Sequence, residues 1–518
     1  MSKPLKTSSS HNSPIQTPGW VKDAIFYQIF PDTFARSARV SKPGGLLSWE
    51  APPGPHGYKG GDLLGVVEHL DDLVDLGINA IYFCPIFQSA SNHRYHTHDY
   101  YRVDPMLGGN AALRELLDEA HRRDMHIILD GVFNHASRGF FQFNDILENG
   151  LESAYADWFV IEDKNKPLDA YNARAMARGR HKWKTNYCCW WNLPPLPEFN
   201  TDNPEVREFL WNVAAYWIEF GIDGWRLDVP EEIDDAPFWQ EFRRRVKTVN
   251  PEAYIVGEIW HPAQAWLQGD RFDAVMNYVF NRAAQCFFGG DRLDTSVRPG
   301  GYKLRSIRAK TFARRIDEML SRYDWQVTQA QLNLLGSHDT PRILSILGED
   351  QDSLKLAILF QMTIPGAPCI YYGDEVGMLS VPIDGHQSRA AMTWDKSSWD
   401  HDLRNTIKRY IALRKAHPAL RRGEFIPLYA NNEYNVYAFL RRLGDETMIV
   451  VLNNGHSPYP VSVPVKGQLA GGTRLRDQLN GGIYTVKRGR VIGQAMPPRS
   501  GIVILICDQV TAGRDSSP

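Results

Sequence analysis

Two hydrophobic periods take turns along this chain. Short apolar runs rich in β-branched and aromatic residues stand at 24–30 (AIFYQIF), 78–87 (INAIYFCPIF), 126–133 (HIILDGVF), 221–229 (GIDGWRLDV), 253–260 (AYIVGEIW), 272–278 (FDAVMNY), 332–340 (LNLLGSHDT) and 367–377 (APCIYYGDEVG). Between most of them apolar residues recur every three or four positions. Val67, Leu70, Leu73 and Leu76 do so in 64–77, and Phe238, Phe242 and Val246 in 234–250. The segments 110–124, 203–221, 310–325, 352–364 and 401–417 also have helical patterns. Continuous apolar runs predict strands buried on both faces, and the longer period predicts amphipathic helices. Asn110 is placed as an N-cap, Pro204 near a first helical turn and Gly221 at a helix end. Eight strands alternating with helices predict an α/β fold, a (β/α)8 TIM barrel. A doubly wound open sheet is the competing arrangement, but no glycine fingerprint opens it.

The rhythm breaks twice. The connection 136–199 is too long for an ordinary βα loop. It carries Trp158, Trp183, Trp190 and Trp191, and reads as an inserted subdomain over the C-terminal face of the barrel. After Arg422, short strands separated by Gly, Asn and Pro (EYNVYAFLRR, TMIVVLNNG, YPVSVPV, GIYTV, SGIVILIC) predict an antiparallel β-sandwich. The expected organisation is a disordered tail at 1–19, a barrel at 20–135 and 200–420, an inserted domain at 136–199, a C-terminal β-sandwich at 421–508 and a short tail at 509–518.

Composition narrows the function. Fifty-eight basic against 60 acidic residues leave a formal charge of −2, which gives no reason to expect nucleic acid or an anionic membrane as partner. No apolar run approaches the ~18 residues of a membrane span, and the first residues lack the apolar core of a secretory signal. Six cysteines without metal spacing fit a reducing, cytoplasmic setting. Aromatic residues make up 12% of the chain, with 15 Trp; such faces suit sugar rings or a large aromatic core.

In a barrel the strand ends share one bowl. The third run ends on Asp130, Asn134 and His135, the fourth on Arg226 and Asp228, the fifth on Glu258 and the seventh on His338 and Asp339. Arg226 and Asp228 differ by two and so share a strand face. On the stretch 221–260 alone, a structural ion pair competes with a functional site. Together the strand ends suit acetal cleavage, in which one carboxylate attacks and a second, protonated carboxyl donates to the leaving oxygen. Arg226 favours Asp228 as the anion, and apolar Ile259 and Trp260 favour a protonated Glu258. Metal hydrolysis is the rival chemistry, but no HExxH or paired-His spacing supports it, so no metal ligands are assigned.

The segments DGVFNH (130–135), GWRLDVPEE (224–232), GEIW (257–260) and GSHDT (336–340) resemble, in order, the four signature segments of the α-amylase family of glycoside hydrolases. The resemblance implies a retaining double displacement on α-glucosidic bonds, with Asp228 as nucleophile, Glu258 as acid/base and Asp339 as the third carboxylate. It implies substrate contacts from Arg226, His135, His338 and Tyr95 (in NHRYHTHDYY); Trp260 and, as an outer-subsite residue, Trp266 are added as substrate-binding candidates from their place on the chain after Glu258. DAIFYQIFPDTFA, LPEFN and Val229 directly after Asp228 are similar to the neopullulanase, cyclomaltodextrinase and maltogenic amylase group. The expected substrates are cyclodextrins, pullulan or short and branched maltooligosaccharides, cleaved at α-1,4 and α-1,6 bonds. An α-amylase or debranching enzyme with transglycosylation activity, and an inactive binding protein of the same fold, are the alternatives.

Three departures from the group carry expectations. Its N-terminal β-domain has no counterpart before residue 20, so a monomer, or a homodimer not using that domain, is expected. Its Tyr-Asp-Thr is Tyr95-His96-Thr97 here, which raises the question of altered pH dependence. Its calcium loop after the first strand is replaced by ARSARVSKPGG. Asp62 alone does not make an oxygen cage, so no cofactor is required and calcium is doubtful.

Overall fold

The computed structural model describes residues 15–165, 185–382 and 386–508. Trp183, the tail through residue 14 and the final ten residues lie outside that description. Residues 15–19 are docked: Thr17 Oγ1 donates to the Gln326 carbonyl at 3.2 Å and the Gly19 amide to Glu252 Oε2 at 2.7 Å.

Eight parallel strands form the centre: β1 Phe26–Ile29, β2 Ala80–Phe83, β3 His126–Gly131, β4 Gly224–Leu227, β5 Tyr254–Gly257, β6 Ala274–Val275, β7 Leu332–Leu334 and β8 Ala367–Tyr371. Their order is β6-β5-β4-β3-β2-β1-β8-β7, and a parallel bridge from Met276 to Leu332 closes the ring. Closure leaves no strand edge exposed. Alternate residues turn inward. Phe26, Ala80, Tyr82, Ile128, Tyr254, Val256 and Leu332 fill the barrel, while Tyr27, Ile81, Phe83, Leu129, Trp225 and Ile255 face the helices. Gly224 is required where it stands, because a Cβ there would meet the Tyr254 carbonyl oxygen at 2.2 Å. That close approach brings β4 against β5.

The predicted helices are present with local differences. The segment 64–77 is broken at His69 into Leu63–Glu68 and Leu70–Leu76, and 310–325 becomes Ala309–Leu320 and Trp325–Ala330. Asn110 does not cap a helix; its side chain binds the Val103 amide and the Tyr101 carbonyl. The run 272–278 hides a boundary. Only Ala274 and Val275 are strand, and Tyr278–Phe288 is an unpredicted helix whose N-cap is Asn277. After β2, a hairpin of Phe87–Ser89 with Thr97–Val103 carries Tyr95 in its turn. The buried Arg94–Asp104 pair, 3.0 Å, pins that turn.

Antiparallel bridges from Phe159 to Phe199, Ile161 to Tyr187 and Cys189 to Pro197 hold the inserted segment together, and one from His135 to Glu198 joins it to the chain leaving β3. From Glu424 onward eight antiparallel strands, three more than the pattern predicts, form one sheet around Val436, Leu440, Val451, Val463, Val491 and Ile504. Two buried arginines join this unit to the barrel. Arg414 donates to the carbonyls of Met362, Ile364, Gly366 and Leu420, and Arg441 to those of Thr363, Leu420, Gly423 and Glu424. They satisfy carbonyls freed at the end of helix Gln351–Thr363. Burial lowers both guanidinium pKa values, Arg414 to about 9.

The loop after β1 does not fit a calcium ion. Asp62 caps the helix Leu63–Glu68 through the Gly65 amide at 2.7 Å and takes the Ser37 amide at 2.9 Å. Lys42, from the ARSARVSKPGG segment, places its ammonium 2.6 Å from Asp62 Oδ2, with side-chain exposures of 9% and 0%. Donors and a cation already fill the carboxylate.

Two outcomes follow. Arg441→Leu leaves buried carbonyls without donors and is expected to cost about 3 kcal/mol, read as a lower denaturant midpoint at unchanged slope. Lys42→Met is expected to cost a similar amount, about 3 kcal/mol, whereas EDTA leaves the melting temperature unchanged. A melting temperature that falls on chelation and recovers with calcium would show that the loop holds an ion.

Candidate active site

The strand ends converge on one guanidinium. Arg226, fully buried at the end of β4, donates from Nη1 to Asp130 Oδ1 at 2.7 Å and to Asp228 Oδ1 at 2.9 Å. Its Nη2 makes an ionic contact with Glu258 Oε2 at 2.8 Å, and its Nε lies 3.4 Å from Met276 Sδ. Register explains this. Asp130 on β3 stands opposite Arg226 on β4, and the Glu258 amide continues the β4–β5 ladder to the Leu227 carbonyl at 2.9 Å. Asp228 is 8% and Glu258 6% exposed, so both carboxyls are open to the bowl only at their tips.

The backbone at Asp228 is strained. Val229 has φ 35° and ψ 50°, a left-handed conformation that a β-branched residue rarely adopts. It costs on the order of 1–3 kcal/mol and points the Val229 amide at Glu258 Oε2, 3.2 Å away. Glu258 Oε1 takes the Trp260 indole N–H at 3.1 Å. Trp260 lies flat on Tyr278, with centroids 3.5 Å apart and 9° between planes. Gly300, at φ 55°, leaves room on this ring, since a Cβ there would come within 2.4 Å of it.

A second chain of hydrogen bonds reaches Asp130. Gln28 Nε2 donates to His338 Nδ1 at 2.8 Å, so the imidazole proton sits on Nε2, 2.6 Å from the Tyr95 hydroxyl. Tyr95 and Tyr82 both donate to Asp130 Oδ2, at 3.0 and 2.9 Å. Burial holds His338 well below its ordinary pKa and His135 at about 3, so both imidazoles are neutral. His135 is 1% exposed, and its Nε2 has no hydrogen-bond partner. Asn134 is a hydrogen-bonding residue: its carbonyl accepts the Phe199 amide at 3.0 Å and its side chain lies 3.5 Å from His135 Nδ1.

Burial raises the carboxyl pKa values, Asp130 to about 6, with Asp228 well above and Glu258 above the usual range. For Glu258 the sequence predicts this direction. For Asp228 it predicts the opposite, and the structure shows why: Arg226 is shared among three carboxylates, and Glu258 and Asp130 oppose the charge on Asp228.

Asp339 reaches the rim. Its carboxylate contacts His338 Nε2 at 3.1 Å and Arg389 Nη2 at 3.1 Å. Trp266 is not brought to the cluster: it is 9% exposed, stacks on Phe272 at 5.3 Å and packs under Arg271. Gln28, Tyr82, Met276, Tyr278 and Arg389 are site residues the sequence reading misses. The first three share the inward register of Arg226 and were reachable by extending the period-two pattern; Arg389 had no such signal. His93 and His96 are half-buried, and desolvation lowers both pKa values, His96 to about 4. Among the described residues no cluster of three or more His, Cys, Asp or Glu side chains is arranged to hold a metal ion.

Residues 28–422 match the model of the α-amylase catalytic domain, and residues 425–504 that of the neopullulanase-like C-terminal domain. The chain is 42% identical to a cyclomaltodextrinase of Geobacillus thermopakistaniensis over 87% of its own length and 72% of the relative's. It is 41% identical to neopullulanase 2 of Thermoactinomyces vulgaris, over 94% and 78%. The native form of the Nostoc punctiforme debranching enzyme superposes with a TM-score of 0.84 at 46% identity, covering 95% of this chain and 100% of that one. Such hydrolases need no organic cofactor, and the chain belongs to the α-amylase family of glycoside hydrolases.

Proposed function

We propose that the site hydrolyses α-1,4 and α-1,6 glucosidic bonds with retention, in cyclodextrins, pullulan and short or branched maltooligosaccharides. The observation that carries it is the single buried Arg226 touching Asp130, Asp228 and Glu258 at once. One cation does not neutralise three carboxylates, so the cluster retains protons near neutral pH. We assign the anion to Asp228, which takes a charge-assisted hydrogen bond from Arg226 Nη1. Glu258 takes hydrogen bonds from two neutral donors, the Val229 amide and the Trp260 indole, beside its 2.8 Å ionic contact with Arg226 Nη2. Burial pushes both carboxyls up and Arg226 counters it at both; the hydrogen bond from Arg226 Nη1 is the reason we place the anion on Asp228.

In the first step Asp228 forms a bond to the anomeric carbon while Glu258 gives its proton to the departing glycosidic oxygen. In the second, Glu258 takes a proton from water, whose oxygen displaces Asp228. Asp339, on the rim beside Arg389, holds sugar hydroxyls; His135, His338, Tyr95 and Trp260 complete the sugar's surroundings. A solved relative named debranching enzyme, 46% identical over 95% of this chain, supports activity on α-1,6 branches. A relative named intracellular maltogenic amylase supports a cytoplasmic setting.

Asp228→Asn is expected to lower kcat by roughly 10³-fold or more with an unchanged circular dichroism spectrum; persistent hydrolysis would remove the nucleophile assignment. Products from γ-cyclodextrin, pullulan and amylopectin, run side by side, are expected to include panose (α-1,4 cleavage) or maltotriose (α-1,6 cleavage) from pullulan; an enzyme silent on all three would refute the substrate class. Burial, with the nearby His98 and Arg138, lowers the His96 pKa to about 4. His96→Asn is therefore expected to leave the kcat/KM profile between pH 5.5 and 8 in place, and a limb that moves would assign the titration to His96.

A further inference from the structure

Three aromatic rings run outward from the cluster. His135 stacks on Trp190 with centroids 5.4 Å apart and 21° between planes, and Trp190 stacks on Trp191 at 5.1 Å and 21°. Exposure rises along the row, from 1% at His135 to 78% at Trp191. Trp191 is the most exposed large hydrophobic side chain among the described residues. An apolar ring of this size held in water costs free energy unless something covers it.

The backbone holds the ring there against its own preference. Trp191 has φ 54° and Asn192 φ 57°, two consecutive non-glycine residues in the left-handed region. Asn accepts this conformation; a bulky aromatic rarely does. The turn is braced by hydrogen bonds from the Trp190 amide to the Leu196 carbonyl at 3.0 Å, the Asn192 amide to Cys189 at 3.0 Å and the Leu193 amide to Trp190 at 2.9 Å. Strain of this kind persists where the surroundings enforce it, and it clusters at ligand sites.

The inner end of the row points to the ligand. His135 Nε2 is buried without a partner, so the row starts at a polar atom awaiting one. A sugar ring offers both complements: hydroxyls for Nε2, and C–H faces whose positive edge suits the negative face of an indole. We propose that Trp190 and Trp191 form an extended sugar-binding surface, on which a glucan chain seated at His135 continues out of the bowl. This deepens the reading of the site as a glucan hydrolase and rests on it. The surface would favour long or branched chains over trisaccharides, because only a chain that extends past His135 reaches Trp191.

The test uses the full chain. Trp191→Ala is expected to lower kcat/KM for maltoheptaose and pullulan about tenfold, with a clearly smaller loss for maltotriose; Trp191→Phe recovers most of it. Trp191→Gly, which accepts the left-handed conformation, is expected to raise the melting temperature while showing the same chain-length effect. Equal losses on all substrates, no loss on any, or a change in sedimentation coefficient that makes Trp191 a contact between copies would each overturn the proposal. Asp228→Asn separates the two readings: if it is inactive and Trp191→Ala behaves like the parent, the surface alone is wrong.

Discussion

One buried cation organises the mouth of this barrel. Arg226 has no exposed surface, and the carboxylates around it are nearly as enclosed. Removing such a charge from water costs several kcal/mol unless its partners repay it. Here three carboxylates do so, two of them, Asp130 and Glu258, on the strands flanking its own. The arrangement constrains more than charge. It requires β3, β4 and β5 in a fixed register, Gly224 to permit the approach of β5, and Tyr82 and Tyr95 to occupy the remaining oxygen of Asp130. Burial, with the negative charge that Arg226 leaves unbalanced, raises the carboxyl pKa values of the cluster.

Most of the fold was legible because buried parallel strands and amphipathic helices write different periods into sequence. It failed where one short run did two jobs. FDAVMNY contains two residues of strand, a cap at Asn277 and the first turn of a helix, and an apolar run cannot show where one ends. The C-terminal sheet was under-counted for a similar reason: Arg474–Asp477 turns Arg474 and Arg476 outward and Arg490–Met496 exposes Gly493, Gln494 and Ala495, which dilutes the strand pattern.

The site was legible to the extent that it lies on strands. Asp130, Arg226, Asp228 and Glu258 follow from strand ends and alternation, and the same alternation carries to Gln28 and Tyr82. Residues brought in by loops were not legible from the pattern. Tyr95 was named by resemblance alone, and its placement depends on the buried Arg94–Asp104 pair. Arg389 arrives from beyond β8 to contact Asp339. Trp266 misleads because proximity in sequence to Glu258 says nothing about direction: its ring turns to Phe272 and the core. For Asp228 burial, and the sharing of Arg226 with Asp130 and Glu258, outweigh the lowering by the cation, although Arg226 still favours the charged form.

Strain marks the same boundary between scaffold and site. Val229, at the end of β4, and Trp191, on the inserted segment, are two of the non-glycine residues in the left-handed region. Neither conformation is needed to close the barrel, whose ladder is complete at Leu227 and Gly257. Each instead aims a group: Val229 turns its amide toward Glu258, and Trp191 holds its indole in line with Trp190. The barrel and the arginine-stapled β-domain supply the stability that permits this. A site built only from relaxed backbone could keep the carboxylates, which sit on strands, but it would lose the donor that fixes Glu258 and the ring that extends the sugar surface.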